Sequence, residues 1–293
     1  MSKNPFKWKG YGPQIRSFAD LLSIHSELES DNAEWIFRGQ MDGSKSLKST
    51  IERCFLDFAI PQKDYLHIEV GLIHEFIRYF HLYGTTPAPD VNDTLAYLAL
   101  MRHYGSPARI LDFSFSLFIA CYFAIEFKSS NPIVWAINKT WLTKHLNKQV
   151  LAQPNGKDLL DQLAARKGKA FNDVFMQHSP TIRLIGPVNP SFMNDRIAVQ
   201  KGLFLCSTDI SIPFDQVLRL TPDSTENVRK ISISQHARPK LLSTFERVNI
   251  NRVGLFPGLQ GFGESLYSKV LLFERFERMR RKGGRVGPRS LGL

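Results

Sequence analysis

The sequence predicts an α+β fold, and two observations carry that expectation. Short apolar runs of strand length are interspersed with longer segments of helical periodicity. They lack the regular strand–helix–strand rhythm of a doubly wound sheet. The 293 residues, 43% of them hydrophobic, are enough to build a substantial core.

Taken in order, Met1–Gln14 is polar and holds Gly and Pro, which marks a lead-in. Ser17–Glu29 groups Phe18, Leu21, Leu22 and Ile24 on one side of a helix. Trp35-Ile36-Phe37 is a short strand that ends at Arg38-Gly39-Gln40. Tyr65–Tyr83 is a long amphipathic helix, closed by Gly84 and the Pro87/Pro89 loop. Leu95–Met101 is a buried helix that Tyr104-Gly105-Ser106-Pro107 stops, since Pro cannot continue it. Ala108–Phe113 fits a strand, and an apolar helix starts from Ser114, with Ser available as its N-cap. Ile133–Ile137 is a strand and Trp141–Lys169 is mixed helix and loop. Ile182–Gly186 and Gly202–Cys206 are further strands, and Lys240–Val248 is a helix. The expected organisation is an N-terminal lead-in and helix over 1–30, an α+β domain over 31–270 and a basic tail over 271–293.

The chain carries 38 Lys and Arg against 27 Asp and Glu, a formal net charge of +11. Such a surplus favours polyanionic partners, with a merely soluble basic protein as the plain alternative. Cys54, Cys121 and Cys206 form no CxxC pair, so neither a zinc knuckle nor a disulfide framework is indicated. No apolar leader region and no run near the roughly 18 residues of a membrane span is seen, so a cytoplasmic location without a membrane partner is expected. In the tail, Arg275, Arg278, Arg280, Arg281 and Lys282 are candidate phosphate contacts, although flexible basic tails are common.

Polar residues concentrate at junctions between apolar elements, where ligand sites form. Arg38 could project its planar fork from a strand end toward a diphosphate, while Gly39 lets a ligand approach the backbone. From the tripeptide alone, an ion pair with Glu34 is the simpler reading. His103 fits a general base or a ribose partner, or simply a favourable charge at a helix C-terminus. Arg109 and Asp112 lie three apart on the expected strand and so point to opposite faces; at least one finds its partner elsewhere or serves a ligand. Gln200 precedes a strand and reads by itself as a buried structural amide. His67, His74 and His81 recur every seven residues, about 10.5 Å apart, too far to share a metal, and no metal is expected. HExxH, GxxxxGK[ST] and GxSxG are absent.

In this order, the clusters resemble the FRG-domain family, named for its Phe/Tyr-Arg-Gly tripeptide. Trp35–Gln40 is similar to its first motif, and HYGSPARILDFSFSLFIACYF over His103–Phe123 to its central signature. Gln200–Phe204 resembles its QxGLF element and Leu255–Leu259 its LFPxL element. The likeness runs over about Glu34–Leu266. Arg102 stands where the family has Gln, Ala108 where it has Thr, and Asp112-Phe113-Ser114 where it has Asp-Trp-Thr.

A weaker resemblance is to ADP-ribosyltransferases of the Arg–Ser–Glu class. It implies a mixed or antiparallel sheet core with surrounding helices and NAD as a substrate. On that resemblance Arg38 holds the diphosphate, aided by Gly39 and Gln40, and Ser114 and Ser116 line the nicotinamide–ribose pocket. Gln200, in place of Glu, positions the ribose, and His103, Tyr104, Arg109 and Asp112 build the wall. Gln can hold a hydroxyl but carries no charge and takes no proton, so His103, Asp112 or the acceptor itself would serve as base where one is needed, and a strongly nucleophilic acceptor such as a nucleobase amine reduces that need. The expected function is therefore ADP-ribosyl transfer to nucleic acid, RNA favoured over single-stranded DNA, or to protein. A toxin or antiviral effector with a neutralising partner protein fits such chemistry. A non-catalytic nucleic-acid-binding module is the alternative, and a metal nuclease using Asp112 ranks last because no second carboxylate has useful spacing.

Overall fold

The computed structural model describes residues 14–30, 32–84, 87–128, 130–191, 194–267 and 269–270. The chain runs α1 (Phe18–Glu29), β1 (Trp35–Gln40), α2 (Thr50–Asp57), α3 (Tyr65–Tyr83), α4 (Thr94–His103), β2 (Leu111–Ser114) and α5 (Leu117–Ile125). It continues through β3 (Ile133–Asn138), α6 (Lys139–Leu151), α7 (Gly156–Ala164), α8 (Gly168–Phe175), β4 (Ile185–Val188), α9 (Asp195–Val199) and β5 (Gly202–Ser207). The last elements with named bounds are α10 (Phe214–Leu220), α11 (Ser224–Asn227), β6 (Val228–Ser232), α12 (Arg238–Arg247) and α13 (Arg252–Leu255).

The strands form one six-stranded sheet in the order β4-β5-β2-β1-β3-β6, with every strand pair antiparallel. This is the α+β class that the irregular element order predicts. Side chains alternate across the sheet, as strand geometry requires. Trp35 and Phe37 join Val134, Ala136 and Ile231 in a cluster under α1, α5 and α12. Ile36 joins Leu111, Phe113 and Trp135 on the other face, under α6 and α10. A third cluster packs α3, α4 and α8 onto Phe204 and Cys206 of β5. The expected lead-in over 1–30 contributes α1 to the first of these clusters through Leu21, Ile24 and Leu28.

Local chemistry sets several boundaries. The Ser17 hydroxyl accepts from the Asp20 amide to start α1, and Ser49 with Glu52 forms a capping box that starts α2. The expected strand over Ala108–Phe113 is shifted, because Ala108 is tied to α2 instead of to the sheet. Its amide donates to the Thr50 hydroxyl at 3.0 Å and its carbonyl accepts from it at 3.1 Å. The cap of α5 is Ser116 and not Ser114, which is still in strand conformation as the last residue of β2.

Two features of β1 position the site. Gly39 packs against α5 so closely that a Cβ there would lie 2.1 Å from the Ala120 carbonyl oxygen. The ladder between β1 and β2 is broken: they pair at Phe37↔Ser114 alone, whereas β1 pairs with β3 over six residues and β2 with β5 over four. Arg38, Gly39 and Asp112 lie beside this break.

Candidate functional site

The break is bridged by side chains. Arg38 Nη1 donates to the Asp112 backbone carbonyl at 2.6 Å, replacing a missing rung of the sheet. Arg102, from the last turn of α4, holds the Asp112 carboxylate with Nε at 2.7 Å and Nη2 at 2.6 Å. Arg38 Nη1 lies 3.6 Å from the same carboxylate. Arg196 of α9 is the third guanidinium here; it makes no ion pair among the described residues and lies 4.5 Å over the Phe256 ring. Three cations thus converge on one carboxylate.

Burial alone would raise the Asp112 carboxyl, but Arg102, Arg38 and Arg196 outweigh it and hold the group below its usual range. Burial brings Arg38 down to about 10, against the pull of Asp112 and with added repulsion from Arg102 and Arg53. Arg196 is also lowered by burial, with Arg102 and Arg252 repelling it. The cluster carries more positive charge than its own residues neutralise.

Two cavities meet at this cluster. The inner one, of about 150 Å³, is lined by Asp112, Ser114, Gln200, Phe123 and Phe256 with the three arginines. The outer one, of about 630 Å³, is lined by Lys45, Lys48, Arg53, Met41 and Leu56 among others. Arg38, Gly39 and Phe123 line both.

Other hydrogen bonds shape these walls. Ser114 Oγ donates to the Gln200 carbonyl at 2.7 Å and accepts from the Ser116 amide at 2.9 Å. Gln200 Nε2 donates to the Leu255 carbonyl at 2.9 Å, so the expected QxGLF and LFPxL segments are joined directly. That bond fixes Phe256, whose ring lies 3.9 Å from the Arg252 guanidinium and edge-on to Phe123 at 5.8 Å. Arg252 is in turn held by Glu126 at 2.8 Å and by Glu264.

The remaining candidates are placed as follows. Arg38 does not pair with Glu34, which instead binds Lys139. The tight fit of Gly39 is to helix α5, so packing by itself accounts for the glycine. Gln40 staples its own loop, its Nε2 donating to the carbonyls of Asp42 and Lys45 and its Oε1 accepting from Trp135 Nε1. Arg109 is not brought to the cleft. It is 3% exposed, bonds the fully buried Glu69 and donates to the Phe175 carbonyl. His103 ends α4, half-buried, with its ring edge-on to Tyr104; burial, then Arg196, lowers its pKa. Neither it nor Tyr104, which is 56% exposed, lines the two cavities. Arg275, Arg278, Arg280, Arg281 and Lys282 lie outside the described residues.

Residues 33–132 match the family model described as FRG domain. The chain carries an FRG domain. The matched FRG segment holds Arg38, Arg102, Asp112, Ser114 and Ser116, so the β1–β2 break lies within it. Arg196, Gln200 and Phe256 complete the cleft from beyond its end. Neither a curated protein nor a solved structure matches the chain. Among the described residues no three His, Cys, Asp or Glu side chains are grouped to hold a metal, and no helix is long and apolar enough to cross a membrane.

Sequence reasoning did not assign Arg102, Arg196, Phe123, Phe256 or the Lys45–Lys48–Arg53 group to the site. Arg102 carried a signal, as the residue departing from the FRG pattern immediately before His103. The others become neighbours only through tertiary packing.

Proposed function

We propose that this chain binds NAD across the two neighbouring cavities, which share Arg38, Gly39 and Phe123, and transfers its ADP-ribose to a nucleophile on nucleic acid or protein. The observation that carries this reading is the position of Arg38 on a wall common to both cavities. NAD is two nucleosides joined by a diphosphate, and Arg38 stands where the joint would fall. With one carboxylate set against three guanidiniums, the cluster has two positive charges in excess, matching a diphosphate that its planar forks can grip. The inner cavity takes the nicotinamide riboside, with Phe256 and Phe123 against the ring. The outer cavity takes the adenosine half.

In the reaction, the bond between ribose C1′ and the nicotinamide nitrogen breaks and nicotinamide leaves with the bonding electrons. The acceptor nucleophile bonds C1′, and its proton passes to solvent. The transition state is an oxocarbenium-like ribose, helped by orientation and by placed charge. Arg38 binds the diphosphate. Arg102 and Asp112 orient Arg38. Gln200, with Nε2 committed to Leu255, keeps Oε1 as an acceptor for a ribose hydroxyl. Ser114 and Ser116 hold the strand end that forms the floor. Asp112, clamped by arginines and held ionised, is a weak base, which favours an acceptor such as a nucleobase amine that needs little help losing a proton.

The test is transfer of label from adenine-labelled NAD to RNA, DNA and lysate protein by wild type and Arg38→Ala, with folding of both checked by circular dichroism. Label on one acceptor class, nicotinamide released in equal amount and loss of both in Arg38→Ala are expected. Intact NAD, with RNA bound in a salt-sensitive way by both proteins, would overturn the reading in favour of a non-catalytic nucleic-acid-binding module.

A further inference from the structure

The outer cavity holds more positive charge than an adenosine half needs. Lys45, Lys48 and Arg53 line it, and none makes an ion pair among the described residues. Its carboxylates are Asp42 and Asp57. Asp42 is committed to its own turn, accepting from the Ser44 amide at 3.0 Å and from the Ser44 hydroxyl at 2.6 Å. Adenosine carries no charge beyond the diphosphate already assigned to Arg38. Against Asp42 and Asp57, Lys45, Lys48 and Arg53 leave a net excess of one positive charge on this wall, and NAD does not explain it.

These cations stand on pinned backbone. Gln40 holds the carbonyls of Asp42 and Lys45, and the Gly43 amide donates to the Asn131 carbonyl at 2.8 Å. Arg53 Nη2 donates to the Lys48 carbonyl at 2.9 Å, linking α2 to the same loop. A fixed backbone lowers the entropy lost when side chains on it grip an anion. The cavity, about 630 Å³, has room for one nucleoside with its phosphate, which favours a small ligand over a polynucleotide strand.

We propose that the outer cavity is built for a second phosphate on the adenosine side, so that the preferred dinucleotide carries a 2′-phosphate, as NADP does. This rests on the proposed dinucleotide reading and names its substrate more closely. Lys45 and Lys48 supply ammonium point charges to the phosphate, and Arg53 adds a fork from α2.

The experiment is equilibrium binding of NAD and of NADP to the full chain by titration calorimetry, at low and at physiological salt. It is run on wild type and on the Lys45→Ala/Lys48→Ala double variant. Wild type is expected to favour NADP by about tenfold or more, the scale of one charge-assisted phosphate contact, with the ratio shrinking in salt. The ratio falls to near one in the double variant. Equal affinities in wild type, or a ratio unmoved by the double variant, would overturn the inference while leaving the dinucleotide site standing. Binding of neither would overturn both. Displacement of NADP by an RNA oligonucleotide of equal affinity would assign the cations to nucleic-acid phosphates and overturn the inference as well.

Discussion

Replacing Gly39 by Ala separates two explanations of the central glycine, packing and ligand approach. The added Cβ would lie 2.1 Å from the Ala120 carbonyl oxygen and 2.6 Å from the Ala124 amide nitrogen, both backbone atoms of α5. Ordinary contact begins near 3.4 Å, so β1 and α5 must separate by about 1 Å. Leu117, Ala120, Cys121 and Ala124 are all buried on that helix and would lose part of their packing. Overpacking of this kind costs about 1–3 kcal/mol. For a chain of this size that lowers Tm by roughly 2–5 °C. Thermal unfolding followed by circular dichroism reads this directly. A Gly39→Ala protein with unchanged Tm that no longer binds dinucleotide would refute the packing argument and restore ligand approach as the reason for the glycine.

Other perturbations test neighbouring parts. Asp112→Asn leaves Arg38, Arg102 and Arg196 without a countercharge and is expected to cost about 1–3 kcal/mol at neutral pH. Because the folded Asp112 pKa lies below its usual value, its contribution is complete above the unfolded pKa and disappears as pH falls through the folded one. Urea unfolding at pH 7 and near pH 3 should therefore show the gap between variant and wild type closing in acid. Arg109→Leu strands Glu69 in the core and should cost about 3–5 kcal/mol, whereas Glu69→Leu/Arg109→Leu should be more stable than that single variant by chemical denaturation. Gln200→Ala releases the Leu255 carbonyl and, with it, Phe256. About 1 kcal/mol of stability and a rise in KM for dinucleotide are expected, read by thermal unfolding and by initial rates.

Legibility in the sequence followed the range of the interactions involved. β1, α3 and β3 were readable because apolar periodicity and an abrupt polar or Gly/Pro stop are local signals. Arg38, Asp112 and Ser114 each stood out locally as polar residues that interrupt apolar runs, but their meeting at one site was implied by the resemblance alone. α2 was missed although its signal was present, a Ser49–Glu52 capping box ahead of Ile51 and Phe55. β6, over Val228–Ser232, carries Arg229 and Lys230 and so lacks the apolar run of the other strands. Arg109 went astray because its partner Glu69 lies forty residues earlier on α3, a distance that no local pattern encodes. The cleft depends on where β1 and β2 cease to pair, and that is set by the packing of α5 against Gly39 and by Arg38 taking the place of a backbone rung.

The most direct test of the central claim is a structure of the chain with dinucleotide bound. The diphosphate is expected within hydrogen-bond distance of Arg38, with nicotinamide against Phe256 and adenosine beside Lys45 and Lys48. A saturated crystal with the dinucleotide elsewhere, or with Arg38 still closed on Asp112 and both cavities empty, would contradict that claim.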